Sequence, residues 1–276
     1  MACAVILSLS VGRVLAHDTW LEPQAFARRS GDVAEFDLTS GHGFPEAEHA
    51  IAPERLARAE CRVAGKPQRM HPASVRPKSL RLAVRLQQEG TAVCRVELKP
   101  RSIELTDEQV AAYFDEIDAP DAIRRDWAAA PRPRAWRETY AKYAKSMVGS
   151  GAWQKDGTWS KPVGMAFEIV PESNPLSIRA GEQMAVRVLH DGSPLSGLSV
   201  ALAGVGTPNV WRRTDAQGRA KFEVPSAGRW IVRGRWWRLH APWLRPATRS
   251  RRSSAARRHR SRRQVGFRPG VAAIAS

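Results

Sequence analysis

Residues 162–204 read PVGMAFEIVPESNPLSIRAGEQMAVRVLHDGSPLSGLSVALAG. Within this stretch Met184–Leu189 alternates as a half-buried strand does, Asp191-Gly192 is a hairpin turn signal, and Leu198–Leu202 is predicted as the returning strand. Short strands separated by turn residues are typical of an antiparallel sandwich. The stretch therefore predicts an immunoglobulin-like (Ig-like) or transthyretin-like β-sandwich over residues 161–234.

A second group of short strands lies nearer the N-terminus. Asp32–Leu38 and Leu80–Leu86 alternate strictly, and several glycines and prolines separate them. We therefore predict an N-terminal β-sandwich over residues 17–100. The predicted fold class is mainly β, with two Ig-like or transthyretin-like sandwich domains and a short helical insertion between them.

Residues 101–160 carry a different pattern and are predicted to form the helical insertion and a linker. Thr106–Gln109 is a capping-box signature, and apolar residues follow at helical spacing up to Pro120, which is expected to end the helix: Val110, Tyr113, Phe114 and Ile117. A second helix is predicted over Ala135–Val148, with four large side chains on one face: Trp136, Tyr140, Tyr143 and Met147. We interpret this aromatic stripe as packing on the sandwich, with a ligand-binding box as the alternative.

Residues 1–16, MACAVILSLSVGRVLA, predict a signal peptide. Val14 and Ala16 suit the positions that signal peptidase reads, which places the cut before His17. The alternative is a buried first strand, because the segment is short, lacks a basic start and carries Arg13 close to the cut. Export predicts a periplasmic protein. The mature chain has no run of about 18 apolar residues, so no transmembrane segment is predicted in it.

Cysteine usage agrees with export. Loss of the signal peptide removes Cys3 and leaves Cys61 and Cys94, both in strand-like contexts. One disulfide can join two strands of a sandwich in an oxidising compartment. Two unbridged core thiols are the alternative.

The net charge of +17 is concentrated at the C-terminus. Residues 231–276 hold 13 arginines and no lysine or acid, whereas the rest of the chain has 31 basic against 27 acidic residues. An arginine-rich segment binds phosphates through charge alone, so no specific nucleic-acid partner is expected. We predict that residues 235–276 are a frameshifted or disordered tail, with a genuine basic tail as the alternative.

Six segments occur in an order that one family shares: AHDTWLEPQAF, SGHGFPE, YAKYAKSMV, PVGMAFEIVPESNPLSIRAGE, VRVLHDGSPLSGLSV and RTDAQGRAKFEVPSAGRWIVR. Over about residues 10–234 the chain resembles the periplasmic family catalogued as domain of unknown function 4198, formerly described as a NikM-like component of nickel/cobalt uptake. The resemblance implies an exported two-part β protein near metal transport, with a metal-uptake permease or another envelope protein as partner. It implies no catalytic residues.

The segment GHGFPEAEH at residues 41–49 is the candidate metal site. It brings His42, His49, Glu46 and Glu48 together within eight residues. Imidazole suits Cu, Ni, Co and Zn, and carboxylates can fill further positions. We therefore predict that His42, His49 and Glu46 of this segment bind a divalent transition metal, Cu, Ni or Co, with a solvent-facing loop that binds nothing as the alternative.

His17 is a further candidate ligand and makes this hypothesis more specific. If cleavage follows Ala16, the free α-amine and the ring Nδ1 of His17 can chelate one metal, and one further imidazole completes a three-nitrogen set suited to Cu(II). His42 is the first choice for that imidazole and His49 the second. The amine must lose a proton to bind, so affinity should fall below neutral pH. The alternative is that His17 only flanks the apolar anchor of strand one.

The sequence offers weaker support for two other function classes. Trp153 and Trp159 are predicted to be exposed in a loop, where they could stack on sugars or on a partner, which predicts an interaction or carbohydrate-binding module without a metal. The alternative is that the two tryptophans cap the interface between the two sandwiches. The chain has no Gly-x-Ser-x-Gly elbow, P-loop or dinucleotide fingerprint. An enzyme is therefore not predicted, with a copper-dependent oxidase as the remaining enzymatic alternative.

Overall fold

The computed structural model describes residues 17–116, 119 and 121–236. The predicted signal peptide, residues Ile117 and Pro120 of the first predicted helix, and residues 237–276 of the tail lie outside the described residues. The described chain is mainly β, as the sequence predicted. Neither of its α-helices has the length and apolar character needed to cross a membrane.

The described strands are, in chain order, β1 (Asp18–Pro23), β2 (Ala27–Arg28), β3 (Val33–Gly41), β4 (His49–Ala50), β5 (Leu56–Val63), β6 (Lys66–Arg69), β7 (His71–Val75), β8 (Leu80–Arg85), β9 (Gly90–Leu98), β10 (Arg101–Leu105), β11 (Trp136–Tyr140), β12 (Tyr143–Ser150), β13 (Phe167–Pro171), β14 (Gln183–His190), β15 (Ser193–Pro194), β16 (Ser199–Gly204), β17 (Val210–Arg213), β18 (Arg219–Glu223) and β19 (Trp230–Gly234). The helices are α1 (Asp107–Glu116) and α2 (Asp121–Ala129).

Two sheets enclose the first hydrophobic core. Sheet 1 has the order β1-β3-β8-β7, with β4 also paired to β3, and sheet 2 has the order β2-β12-β9-β5-β6. Apolar side chains of both sheets form one buried cluster, which includes Leu21, Phe36, Leu82, Val96 and Val148. Successive side chains of a strand point to opposite faces of its sheet, so every second residue of these strands faces this shared core. The β5–β9 pair carries the Cys61–Cys94 disulfide, so the bridged alternative is the one that the structure contains.

Two further sheets enclose the second core. Sheet 3 has the order β13-β14-β15 with β18 on β14, and sheet 4 has the order β17-β16-β19. Their buried cluster includes Phe167, Val188, Leu202, Phe222 and Trp230. Tyr143 and Met147 of β12 belong to the same cluster, so sheet 2 is covered on both of its faces.

A buried ion pair also links β12 to β13. Lys145 Nζ donates to Glu168 Oε1 at 2.8 Å, and both side chains are inaccessible to solvent. The Glu168 carboxylate accepts three more hydrogen bonds from the backbone amides of Val163, Gly164 and Met165, at 2.8 to 3.1 Å. A buried charge must be paired and hydrogen-bonded to be tolerated, and this carboxylate meets both conditions.

The second predicted helix, Ala135–Val148, is wrong. This segment forms β11 and β12 instead, and β12 pairs with β9. Trp136 and Tyr140, like Tyr143 and Met147, are four positions apart, a spacing that places two residues on one face of a helix and also of a strand. Every residue of β12 is buried because both faces of sheet 2 are covered, so the polar alternation that marks an ordinary strand is missing.

The first predicted helix is confirmed as α1. The Gln109 side chain accepts a hydrogen bond from the Thr106 amide at 3.0 Å, as the capping-box signature predicted. The second helix of the insertion is α2, which the sequence analysis did not predict. Within residues 103–137, Phe114 of α1, Trp127 of α2 and Trp136 pack edge to face, with ring centroids 4.9 to 6.3 Å apart.

The predicted hairpin at Asp191-Gly192 has a different returning strand. Both turn residues have positive φ, 48° and 77°, which is the conformation that Asp-Gly favours in a two-residue hairpin loop. The turn leads into β15, whose Pro194 has no amide hydrogen to continue the ladder. Leu198–Leu202, predicted as the returning strand, largely forms β16, which pairs with β17 and β19 in sheet 4.

Candidate metal centre

The start of β1, the end of β3 and the start of β4 lie together at one end of sheet 1. The register pairs Asp18 of β1 with Gly41 of β3, so His17 and His42 are the next residues beyond that pair. On the other side of β3, Ser40 pairs with His49 of β4, and the Glu48 amide donates to the Ser40 carbonyl at 3.1 Å. Residues that are 25 to 32 positions apart along the chain are therefore brought together by strand pairing.

His17, His42 and Glu48 form a compact group of potential metal ligands. One ligand atom from each lies within 4.8 Å of the other two. Glu48 Oε2 is 2.6 Å from His42 Nδ1 and 3.5 Å from His17 Nε2. Two imidazoles and one carboxylate at this separation are a donor set that suits a divalent transition metal.

His49 borders this group without belonging to it. Its ring centroid is 4.8 Å from that of His17, with the planes nearly perpendicular, and its Nε2 is 3.9 Å from Glu48 Oε2. The His49 side chain is 62% exposed, whereas that of His17 is only 18% exposed. A modest rotation of an exposed imidazole is inexpensive, so His49 is placed to supply a further nitrogen.

The Glu48 carboxylate is held in its charged form. The backbone amide of His42 donates to Oε1 at 3.2 Å, and the His42 ring is hydrogen-bonded to the same carboxylate. The His42 amide is the largest influence on the pKa of Glu48; partial desolvation opposes it, and the His42 ring and the charge of His17 add to it. The net effect lowers the pKa of Glu48, which favours the anion that a metal requires.

Gly41 allows the 42–48 loop to close over the end of β3. A Cβ built on Gly41 would lie 2.3 Å from the Glu46 carbonyl oxygen and 3.0 Å from the Trp20 ring, so a side chain there would push the loop away. Phe44 in the same loop packs edge to face on buried Trp20, with centroids 5.8 Å apart. The chain direction after Gly41 is therefore fixed by packing.

Glu46, which the sequence analysis chose as a ligand, lies elsewhere. It is exposed at the end of a turn closed by its own amide and the Gly43 carbonyl, and it is not in the ligand group. Glu48 belongs to the group instead, because β4 and the Glu48 amide pair with β3 and hold this residue beside His42. The two remaining described histidines lie away from the group, His71 exposed on β7 and His190 at the end of β14 beside Trp236.

Sequence reasoning missed the polar residues behind His17. Lys142 Nζ donates to the His17 carbonyl at 2.7 Å, although Lys142 follows it by 125 residues. Asp18 is buried and pairs with Arg233 and Arg235. Lys142 lies in the segment YAKYAKSMV, which the sequence analysis placed in a helix, so this contact was not predicted.

Trp153 and Trp159, predicted to be exposed, are both half-buried. Trp159 packs against the second core, and the Trp153 indole occupies the space that a Gly149 side chain would need. A cavity of about 320 Å³ nevertheless has Trp153, Phe26 and Trp230 in its wall.

A family model described as "Domain of unknown function (DUF4198)" matches residues 14–236. A comparison with curated proteins found no match. Among solved structures, the D0-D1 domain of Intimin is 11% identical and aligns over 92% of this chain and 96% of its own, with a TM-score of 0.23.

Two other structures are similar at the same level. A segment of two fibronectin type III domains from chicken tenascin is 11% identical, aligns over 79% of this chain and 90% of its own, and has a TM-score of 0.20. The D00-D0 domain of Intimin is 8% identical, with 78% and 91% covered and a TM-score of 0.19. At these TM-scores none of the three carries an argument about this chain.

Proposed function

The chain belongs to the family of domain of unknown function DUF4198, and we propose that it is an exported protein that binds one divalent transition metal. The observation that carries this proposal is the meeting of His17, His42 and Glu48 at three strand ends, with their ligand atoms within 4.8 Å. Cu, Ni and Co are the candidate metals because their divalent ions accept imidazole and carboxylate together.

Export is proposed on two grounds. Residues 1–16 have the apolar composition and the small residue before the cut that a signal peptide requires. The Cys61–Cys94 disulfide supports an oxidising compartment, since such bonds persist outside the cytosol. We place the protein in the periplasm, as an accessory to nickel, cobalt or copper uptake whose partner is a permease or another envelope protein.

Cleavage before His17 would add a nitrogen to the site. The new α-amine and Nδ1 of the His17 ring would then chelate the same metal, after the ring turns Nδ1 toward the site in place of the Nε2 that faces Glu48, with His42 as the third nitrogen ligand and His49 as an alternative. Such a set favours Cu(II), which prefers tetragonal nitrogen ligation. In this proposal the two pairs of sheets are two Ig-like or transthyretin-like domains, and the first of them carries the metal.

The test is titration of the exported, full-length protein with Cu(II), Ni(II) and Co(II) by calorimetry. We expect one equivalent to bind, and we expect His17→Ala and His42→Ala each to weaken binding at least about tenfold, because even groups outside the ligand set cost about 10–100-fold. His71→Ala, which alters an exposed histidine on β7, is the matched control. Equal affinity in all four proteins would refute the proposal.

A second function is favoured by one observation. The cavity of about 320 Å³ with Phe26, Trp153 and Trp230 in its wall has the aromatic character of a sugar-binding or partner-binding site. An interaction or carbohydrate-binding module is therefore the alternative. Saturable binding in a glycan screen that survives a chelator and is lost in Trp153→Ala would favour it over the metal site.

A further inference from the structure

The first residue of the candidate site is held by its backbone. His17 precedes β1, and its carbonyl accepts a hydrogen bond from Lys142 Nζ at 2.7 Å. The next carbonyl, of Asp18, accepts from the Ser40 hydroxyl at 2.7 Å. Two successive carbonyls at the start of the strand are thus fixed by side chains, in addition to the β1–β3 ladder.

Lys142 can do this because its own backbone is anchored in the other sheet. The Leu98 amide, at the end of β9, donates to the Lys142 carbonyl at 2.9 Å, and β12 begins at the following residue. The lysine side chain therefore extends from sheet 2 across to the end of sheet 1. Its Nζ also lies 3.4 Å from Ser40 Oγ. The side chains of Lys142 and Ser40 therefore meet beside the candidate metal site.

Such a lysine differs from an ordinary surface lysine. Burial lowers the pKa of Lys142 to about 8, although the Asp18 carboxylate opposes that effect. The partly buried side chain of Lys142 loses some of its hydration, and its hydrogen bonds to His17 and Ser40 compensate for that loss. Burying part of this charge costs free energy, so the contacts of Lys142 with His17 and Ser40 indicate its role.

We propose that Lys142, together with Ser40, positions His17 for metal binding by fixing the carbonyls of His17 and Asp18. This inference rests on the proposed metal site and deepens it. With its backbone held, the His17 imidazole has only its own side-chain rotations left to reach His42 and Glu48. A ligand that is held before the metal arrives loses less conformational entropy on binding.

Asp18 makes the test feasible. Its buried carboxylate pairs with Arg233 Nη1 at 2.6 Å and with Arg235 Nη2 at 3.1 Å. Removal of the lysine charge therefore leaves Asp18 with two guanidinium partners. Lys142→Met keeps the length of the side chain, deletes the donor and removes a poorly hydrated charge, so we expect it to fold.

The experiment measures Cu(II) affinity by calorimetry, the copper spin-resonance spectrum and the melting temperature of the full-length exported protein. Lys142→Met should weaken Cu(II) binding about 10–100-fold, as loss of a group that orients a ligand does, and should change the spectrum without lowering the melting temperature. Lys142→Arg, which keeps a donor, should restore most of the affinity. Lys66→Met, at an exposed lysine of β6, is the control.

Two outcomes overturn the inference, and they can be told apart. Wild-type affinity and spectrum in Lys142→Met, with binding still lost in His42→Ala, would refute the positioning role and leave the metal site. Unchanged binding in both variants would refute the metal site as well. If Lys142→Met does not fold, Ser40→Ala tests the same point: wild-type affinity and spectrum there would refute the positioning of β1.

Discussion

Glu48 is the residue on which the candidate site depends most. Its carboxylate contacts both His42 and His17, and hydrogen bonding keeps it ionised. The same loop contains Glu46, an identical side chain that lies two residues away and is exposed. The chain thus offers a matched pair of carboxylates, one inside the ligand group and one outside it.

We predict that Glu48→Gln weakens Cu(II), Ni(II) or Co(II) binding at least about tenfold, since loss of even an outer orienting group costs about 10–100-fold. Glu46→Gln should leave the affinity unchanged. Calorimetric titration of the two variants beside the wild type makes the comparison. An equal loss in both would mean that only the charge of the loop matters, and a larger loss in Glu46→Gln would reverse the assignment.

At the residue level, the sequence identified two of the three members of this candidate ligand group. His17, His42 and His49 were identified because imidazoles in a short Gly- and Pro-containing segment and at a predicted chain start are unusual. The sequence analysis chose Glu46, whereas the structure places Glu48 in the group, because the position of Glu48 depends on the pairing of β4 and of the Glu48 amide with β3, which the sequence does not show. Lys142 was out of reach for a similar reason, since only the fold brings it to a residue 125 positions away.

At the scale of elements, the link between β12 and β13 carries a buried charge pair. Burial acts against the Glu168 carboxylate, but Lys145 and the backbone amides of Val163 and Met165 outweigh it and lower the pKa of Glu168. A carboxyl with a lowered folded pKa contributes stability that is present above its unfolded value of about 4.3 and is lost as pH falls through the folded value. The wild-type protein should therefore lose stability in acid, below about pH 4.3.

We predict that Glu168→Gln lowers the free energy of unfolding by about 3–5 kcal/mol, because removal of one partner leaves the Lys145 charge buried and unpaired. Urea denaturation at neutral pH measures this, and its repetition in acid should show a smaller difference from the wild type. The control is Glu223→Gln, an exposed carboxylate on β18. A change of less than about 1 kcal/mol, the size of an ordinary substitution, would contradict this account of the ion pair.

Element type was predictable where one face of a strand meets water. Asp32–Leu38 lies within β3 apart from its first residue, and the Thr106–Gln109 signature marks the start of α1. β12 was mistaken for a helix because sheet 2 is covered on both faces, so its strand shows no polar alternation. Apolar residues placed four positions apart do not distinguish a helix from a strand that is buried on both faces.

At the scale of the whole molecule, three properties agree with an exported metal-binding protein. The apolar N-terminal segment predicts export, the disulfide suits an oxidising compartment, and the first candidate ligand, His17, directly follows the predicted cut. The large positive charge belongs mostly to residues 231–276. Any phosphate binding by those arginines should weaken steeply with salt, which separates it from metal binding.

The most direct test of the central claim is the metal content of the full-length protein after export into a bacterial periplasm, purification and mild dialysis. Elemental analysis should find about one equivalent of Cu, Ni or Co per chain, and the His17→Ala, His42→Ala double variant should hold almost none, since a site needs its deprotonated ligands to retain a metal. The same metal content in both proteins, or none in the wild type after incubation with these ions, would contradict the account.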